Sequence, residues 1–367
     1  MKLIHMQVLS FARLAVLFAL LFCGKTAETA TPQVITVSVP NGGHPMAAKT
    51  DSHGTIHLIF DSASGPQYCK SVDNGKTLST PIPIVDPGSQ KPGLEFITWD
   101  MAVSAEGAVH VALGNNAWKL KLPKDEWGFF YARLLPGETS FPPLRNINHK
   151  PSEGFSIAVR GSGDVTAVWM ADKLFANVSH DGGTTFGSTV ELDPSLDPCN
   201  CCTTSSVYAA DGRVAILYRE ETDNDRDMYL ALWDQTTDKA AKTRVSKTPW
   251  NVDACPMTYF SVTSSVDGFL AAWPTKGQIY FARLDPSGKP RRPEEIKTPG
   301  ANGMRTGIMA LTTSDGGALV AWKKDKQLGW QLYDKQGQPA GKAGSINCEG
   351  NGVAAVIAKN GDVVLFQ

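Results

Sequence analysis

The sequence predicts an all-β chain folded as a single β-propeller, and three observations carry that expectation. A hairpin pattern recurs seven times, at a spacing of roughly fifty residues that suits propeller blades. The copies turn on Gly with Asp, Asn or Ser nearby, between strands of alternating polarity, which is the strongest short-range hairpin signal. The last copy stops after two strands at Gln367, while a strand at 34–38 has no hairpin of its own. Joining the two ends would complete a blade and hide an open edge. This arithmetic favours seven blades over six.

The copies run over 46–60, 99–113, 156–169, 205–218, 259–273, 308–322 and 353–366. Most are followed by a third strand, as at 278–283, and a weaker fourth. A hairpin cannot bury both faces alone, so such units must stack around an axis. Trp169, Trp273 and Trp322 end second strands and are expected in the blade core. His53, His57 and His110 lie in or beside hairpins and read as structural.

Among 367 residues, 35 are basic and 36 acidic, and hydrophobic residues make up 42%. That supply of apolar residues is ample for a core, and the balanced charge gives no reason to expect a nucleic-acid partner. Lys2 and Arg13 precede an apolar run at 14–22 and small residues at 26–30. This order is that of a secretory signal peptide, and the run is too short to span a bilayer comfortably. The expected organisation is a signal segment over 1–30 and a propeller over 31–367. The mature protein is expected to be periplasmic or secreted and free of the membrane. Phe22 makes Cys23 a poor site for a lipid anchor. Six cysteines follow the signal segment: Cys69, Cys199, Cys201, Cys202, Cys255 and Cys348. An even number in an oxidising compartment favours disulfides.

Two segments after third strands sharpen the type. Ser71, Asp73, Gly75 and Thr77, with Leu78, form one; Ser179, Asp181, Gly183, Thr185 and Phe186 form the other. Both resemble the Asp-box, in which Asp bonds its own turn and Gly takes a left-handed conformation. The chain therefore resembles the sialidase/BNR-repeat superfamily over nearly its whole mature length. Within it, Cys199-Asn-Cys-Cys202, Tyr218-Arg219, Arg226-Asp227-Met228 and Cys255-Pro-Met257 resemble a bacterial sialidase-like group.

That resemblance implies three arginines holding a sugar carboxylate, a Tyr–Glu nucleophile pair and an Asp acid/base. The lead-in to the first hairpin, Gly43-His44-Pro45-Met46, lacks arginine, and among the later lead-ins only Arg305 supplies one. A carboxylate clamp needs bidentate, charge-assisted pairing that other residues do not replace. Sialic-acid hydrolysis is therefore disfavoured, although Tyr218 and Glu220 lie close in sequence.

Propeller connectivity should bring 199–202, 219–227 and 250–257 to one rim between the fourth and fifth blades. Candidate ligand-binding residues there and at the channel are Arg219, Arg226, Asp227, Trp250, Asp253 and Arg305, for a glycan or other small ligand. Arg226 pairing with Asp253, and a merely solvated charged turn, are the structural alternatives. Cys199, Cys201, Cys202 and Cys255 fit a disulfide, with Cys255 joined to one of the other three or Cys201 joined to Cys202. The same thiols with Met257, His44 and His149 fit a copper or zinc site or a redox function. A disulfide sulfur is no longer a thiolate ligand, so the two readings compete. A protein-interaction scaffold is the third class. No serine elbow, phosphate loop, dinucleotide fingerprint or His-Glu-x-x-His segment is present.

Overall fold

A computed structural model of the protein describes residues 32–301 and 304–367. The expected signal segment and Cys23 lie outside the described residues. Among the described residues, no helix is long and apolar enough to cross a membrane.

The strands form seven separate sheets, the blades of a β-propeller. Blade 1 comprises His44–Thr50, Ile56–Ser62, Gly65–Ser71 and Ile82–Pro83. Blade 2 comprises Phe96–Val103, Val109–Asn115, Phe130–Leu134 and Arg145–Asn146. Glu153–Arg160, Asp164–Met170, Leu174–Ser179 and Val190–Glu191 make blade 3. Ser205–Tyr208, Val214–Arg219, Met228–Asp234 and Lys239–Arg244 make blade 4. Blade 5 contains Ser261–Ser265, Gly268–Thr275, Gln278–Leu284 and Ile296–Ala301. Blade 6 contains Ile308–Thr312, Ala318–Lys324, Gln327–Tyr333 and Gly344–Asn347. Each of these six is an antiparallel meander running from inner to outer strand.

Blade 7 is built from both ends of the chain. Ala355–Ile357 and Val363–Phe366 pair antiparallel, and Val34–Val37 adds to the second of these in parallel. The polarity has a simple cause. The N-terminal strand leads into the inner strand of blade 1, so it runs in the direction of an outer strand. With one strand fewer between, it lies beside a second strand of the same direction. The ring closes with inner strands of neighbouring blades packed side by side, including those of blades 7 and 1.

The apolar residues sort into seven buried clusters, one between each adjacent pair of blades. Alternation within the second and third strands sends their two faces to different neighbours, so both are largely covered, while outer strands such as Lys239–Arg244 stay mostly exposed. Trp169, Trp273 and Trp322 are buried in these layers, as expected. His57 Nδ1 and Tyr68 Oη lie 2.8 Å apart in blade 1, and His110 Nδ1 and Tyr131 Oη repeat the pair at 2.7 Å in blade 2. Burial lowers the His110 pKa to about 4, with the Arg133 charge adding to the effect.

The two Ser-x-Asp turns are near copies. Asp73 accepts from Thr77 N at 2.9 Å and Thr77 Oγ1 at 2.7 Å; Asp181 accepts from Thr185 N at 2.8 Å and Thr185 Oγ1 at 2.6 Å. These bonds hold both carboxyls below the usual range, Asp73 at about 2. Ser71 and Ser179 accept from the amides of Gly75 and Gly183. Gly183 is at φ 79°, where an added Cβ would lie 1.8 Å from Tyr131 Oη of blade 2. Phe186 packs edge-on to that tyrosine, with ring centroids 5.0 Å apart. The turns therefore fasten blade 1 against Val364 of blade 7 and blade 3 against Tyr131 of blade 2.

Candidate functional site

Three inner strands depart from regular pairing at their channel ends. The register slips between Pro45 and Ala47 in blade 1, between Thr98 and Asp100 in blade 2, and between Glu153 and Ser156 in blade 3. A bulge re-aims side chains that regular alternation would place elsewhere. Met46, Trp99 and Phe155 lie at these slips, and all three line a cavity of about 900 Å³ at the channel.

The cavity wall combines aromatic faces with charge. Trp99 packs against Phe155 at 5.2 Å and faces Tyr259 at 6.3 Å between ring centroids. Trp118, from the loop between the second and third strands of blade 2, also lines the cavity and is 58% exposed. Lys49, Asp61, Asp100, Lys119, Glu153 and Arg305 supply the charges. Burial raises Asp61 to about 6, against the hydrogen bond from Thr98 Oγ1 at 3.1 Å and the influence of His44. Asp100 is also raised by burial, opposed by Lys49. Its carboxylate accepts from Met101 N at 2.8 Å and Ile157 N at 3.0 Å, tying blade 2 to blade 3. His44 Nδ1 is buried and has no hydrogen-bond partner among the described residues.

Of the arginines expected to bind ligand, only Arg305 lines this cavity. Its Nε approaches Met257 Sδ at 3.2 Å, and its backbone N donates to Met257 O at 2.8 Å. Met257 is thus engaged with Arg305. Arg219 is fully buried. It donates to Pro274 O and Arg226 O, both at 2.5 Å, and approaches Thr258 Oγ1 at 3.3 Å. Its guanidinium lies 4.8 Å from the Trp250 ring centroid. Arg219 is therefore placed as a buried tie between blades 4 and 5, with three of its N–H groups engaged there, and not in the cavity wall.

Arg226 donates to Val252 O at 3.1 Å and Cys199 Sγ at 3.0 Å, with Glu221 at 3.9 Å. Glu221, not Asp253, is therefore its acidic neighbour, and Asp253 is exposed. Asp227 is buried against Arg244 at 2.9 Å, away from the cavity lining. His149 is exposed and near Asp125 O, whereas His44 lines the cavity. Tyr218 does donate to Glu220, at 2.5 Å, and Lys242 bonds the other carboxylate oxygen. This pair is buried between blades 3 and 4 and does not line the channel cavity, so it is not placed as a channel nucleophile.

The three expected rim segments do converge. Asp225 bridges to Asn251, Pro198 to Glu220, and Cys201 is disulfide-bonded to Cys255 across 54 residues. Cys199 and Cys202 are buried free thiols, as are Cys69 and Cys348. The sulfurs of Cys199, Cys201 and Cys202 lie within 4.8 Å of one another, a grouping that could hold a metal ion. Interaction with Cys202 and burial push the Cys199 thiol up. Burial also opposes ionisation of Cys202, but the Cys199 thiol, the Arg219 charge and Thr258 outweigh it and lower its pKa. Cys201 and Cys202 line the cavity, joining this cluster to its wall.

Trp118, Tyr259, Lys49, Asp61 and Glu153 were not singled out by sequence reasoning. An isolated Trp in a loop gives little signal. Asp61 lies one residue from the end of a second strand, at a position where a solvated carboxylate would look the same.

No known family description matches the chain, and no curated protein matches it. Similar folds occur among solved structures. AofleA from Arthrobotrys oligospora is 12% identical, with a TM-score of 0.51 over 86% of this chain and 91% of that one. The Dos1 propeller is 11% identical, with a TM-score of 0.50 over 88% and 77% respectively. An α-L-arabinanase from Penicillium chrysogenum, complexed with arabinobiose, is 12% identical, with a TM-score of 0.48 over 84% and 94%. These likenesses are of fold. Fold and site together define a seven-bladed propeller with an aromatic, charged central cavity and a cysteine-bonded wall.

Proposed function

We propose that this is an exported, sialidase-like propeller that binds a carbohydrate in its central cavity. The observation that carries the reading is the set of aromatic faces at that cavity, Trp99, Trp118 and Tyr259, beside polar groups able to orient hydroxyls. Sugars present apolar C–H faces that pack on such rings, while their hydroxyls need fixed donors and acceptors. An exposed Trp at a cavity mouth and an unpartnered imidazole nitrogen in its wall both suit that ligand. Arg305 is the sole arginine among the described lining residues. A three-arginine carboxylate clamp is therefore absent from this wall, and sialic-acid hydrolysis is not the proposed activity.

The test is an array of neutral and acidic oligosaccharides, followed by calorimetric titration of the best binder. Trp118→Ala should weaken binding at least tenfold without lowering the melting temperature. Absence of any binder, or a binder indifferent to both Trp118→Ala and Arg305→Ala, would overturn the proposal. Copper, ahead of zinc, is the alternative suggested by the sulfur group, because thiolates are soft ligands. Engagement of all three sulfurs would require Cys201 to be released from Cys255.

A further inference from the structure

The four cysteines at the blade 4–blade 5 rim form a continuous line of sulfurs. Cys255 is exposed and bonded to Cys201. Cys201 Sγ lies 3.2 Å from Cys199 Sγ, which lies 3.6 Å from Cys202 Sγ. Cys202 is buried and lines the cavity. A free thiol thus touches one sulfur of a disulfide, and a second free thiol touches the first. A purely structural clasp needs neither. We propose that these residues form a thiol–disulfide exchange site that reacts with small thiols and disulfides at its exposed Cys255 end.

The internal steps conserve atoms and electrons. Cys199 passes its proton to the Cys202 sulfur in contact with it and bonds to Cys201 Sγ as the Cys201–Cys255 bond breaks. The bonding pair leaves on Cys255, which takes up a proton as Cys202 gives up the one it received. Cys202, as thiolate, then bonds to Cys199 Sγ, and Cys201 leaves as thiolate and is protonated in turn. The disulfide has moved from between two loops to within residues 199–202, with no net oxidation. Cys201 and Cys255 are now a dithiol. A small disulfide reoxidises them through a mixed disulfide on Cys255, which Cys201 resolves, and two small thiols are released. The clasp between the loops therefore opens and closes while the 199–202 loop stores an oxidising equivalent.

The sequence provides a direct readout. Trypsin leaves Cys199, Cys201 and Cys202 together on fragment 174–213 and Cys255 on fragment 248–276. The mature protein would be equilibrated in glutathione buffers of graded ratio, quenched with acid, alkylated and mapped by mass. Over a band of ratios, the expected species is fragment 174–213 carrying an internal bridge, with Cys255 alkylated on a separate fragment. Cys199→Ser should abolish that species and leave only linked or fully reduced fragments. The wild-type map decides the matter if the variant does not fold. Persistence of the linked pair alone until complete reduction would overturn the proposal. So would elemental analysis showing one copper or zinc per chain that shields Cys199 and Cys202 from alkylation until chelation.

Discussion

Arg219 gives the sharpest test of how the rim is built. Its guanidinium is fully buried and donates to Pro274 O on blade 5 and to Arg226 O in the rim loop, both at 2.5 Å. Arg219→Met would keep much of the side-chain volume but leave both carbonyls short of a donor. A hydrogen bond involving a charged group contributes about 1.5–3 kcal/mol. The two together are worth roughly 3–6 kcal/mol, reduced by the desolvation cost that a buried charge no longer incurs. A net loss of ~3–4 kcal/mol is expected. Unfolding entropy of ~2.1 cal/mol/K per residue gives ~0.7 kcal/mol/K for a body of this length, so the melting temperature should fall by ~4–6 °C. Differential scanning calorimetry reads this directly. An unchanged melting temperature combined with lost ligand binding would refute the structural assignment and restore Arg219 as a recognition residue.

The remaining predictions address other parts of the molecule. His110 has a folded pKa of about 4 against an ordinary 6.5, so its contribution is fully present above pH 6.5. That contribution is lost as pH falls toward 4, by ~3 kcal/mol in all. Denaturant titrations at pH 7.5 and 4.5 should show this loss, and an equal loss in His110→Phe would exclude His110 as its source. Cys255→Ser removes a link spanning 54 residues and should cost about 2–4 kcal/mol; an unaltered denaturation midpoint under oxidising conditions would count against that clasp. Gly183→Ala forces a Cβ toward Tyr131 at a left-handed position and should cost ~1–3 kcal/mol. A neutral result by thermal melt would mean that the turn relaxes freely away from blade 2.

The propeller was legible because its information is local and repeated. Each hairpin turn carries its own signal, and the strand at 34–38 could be matched to an incomplete blade by counting. Its parallel pairing was harder to see, since it depends on which strand is missing between the two chain ends. The rim was legible as a neighbourhood, because connectivity places 199–202, 219–227 and 250–257 together. Its chemistry was less so. Whether an arginine points to ligand or to a carbonyl depends on depth, and Arg219 and Arg226 differ from Arg305 mainly in that respect. Trp118 escaped notice for the opposite reason: it lies in an irregular loop, where sequence pattern says nothing about projection.

The ring is regular where it is structural and irregular where the site lies. Seven interblade clusters cover the blade faces with alternating strands. The inner strands of blades 1, 2 and 3 break that alternation, placing Met46, Trp99 and Phe155 in the cavity wall. Blades 4 and 5 contribute the disulfide-linked lead-ins instead. A bulge fixes an aromatic side chain through backbone geometry, which changes little without unfolding the blade. A disulfide fixes a loop through a bond that exchange chemistry can move. One side of the cavity is therefore rigid by construction, and the other is the side on which a reversible change in shape would act.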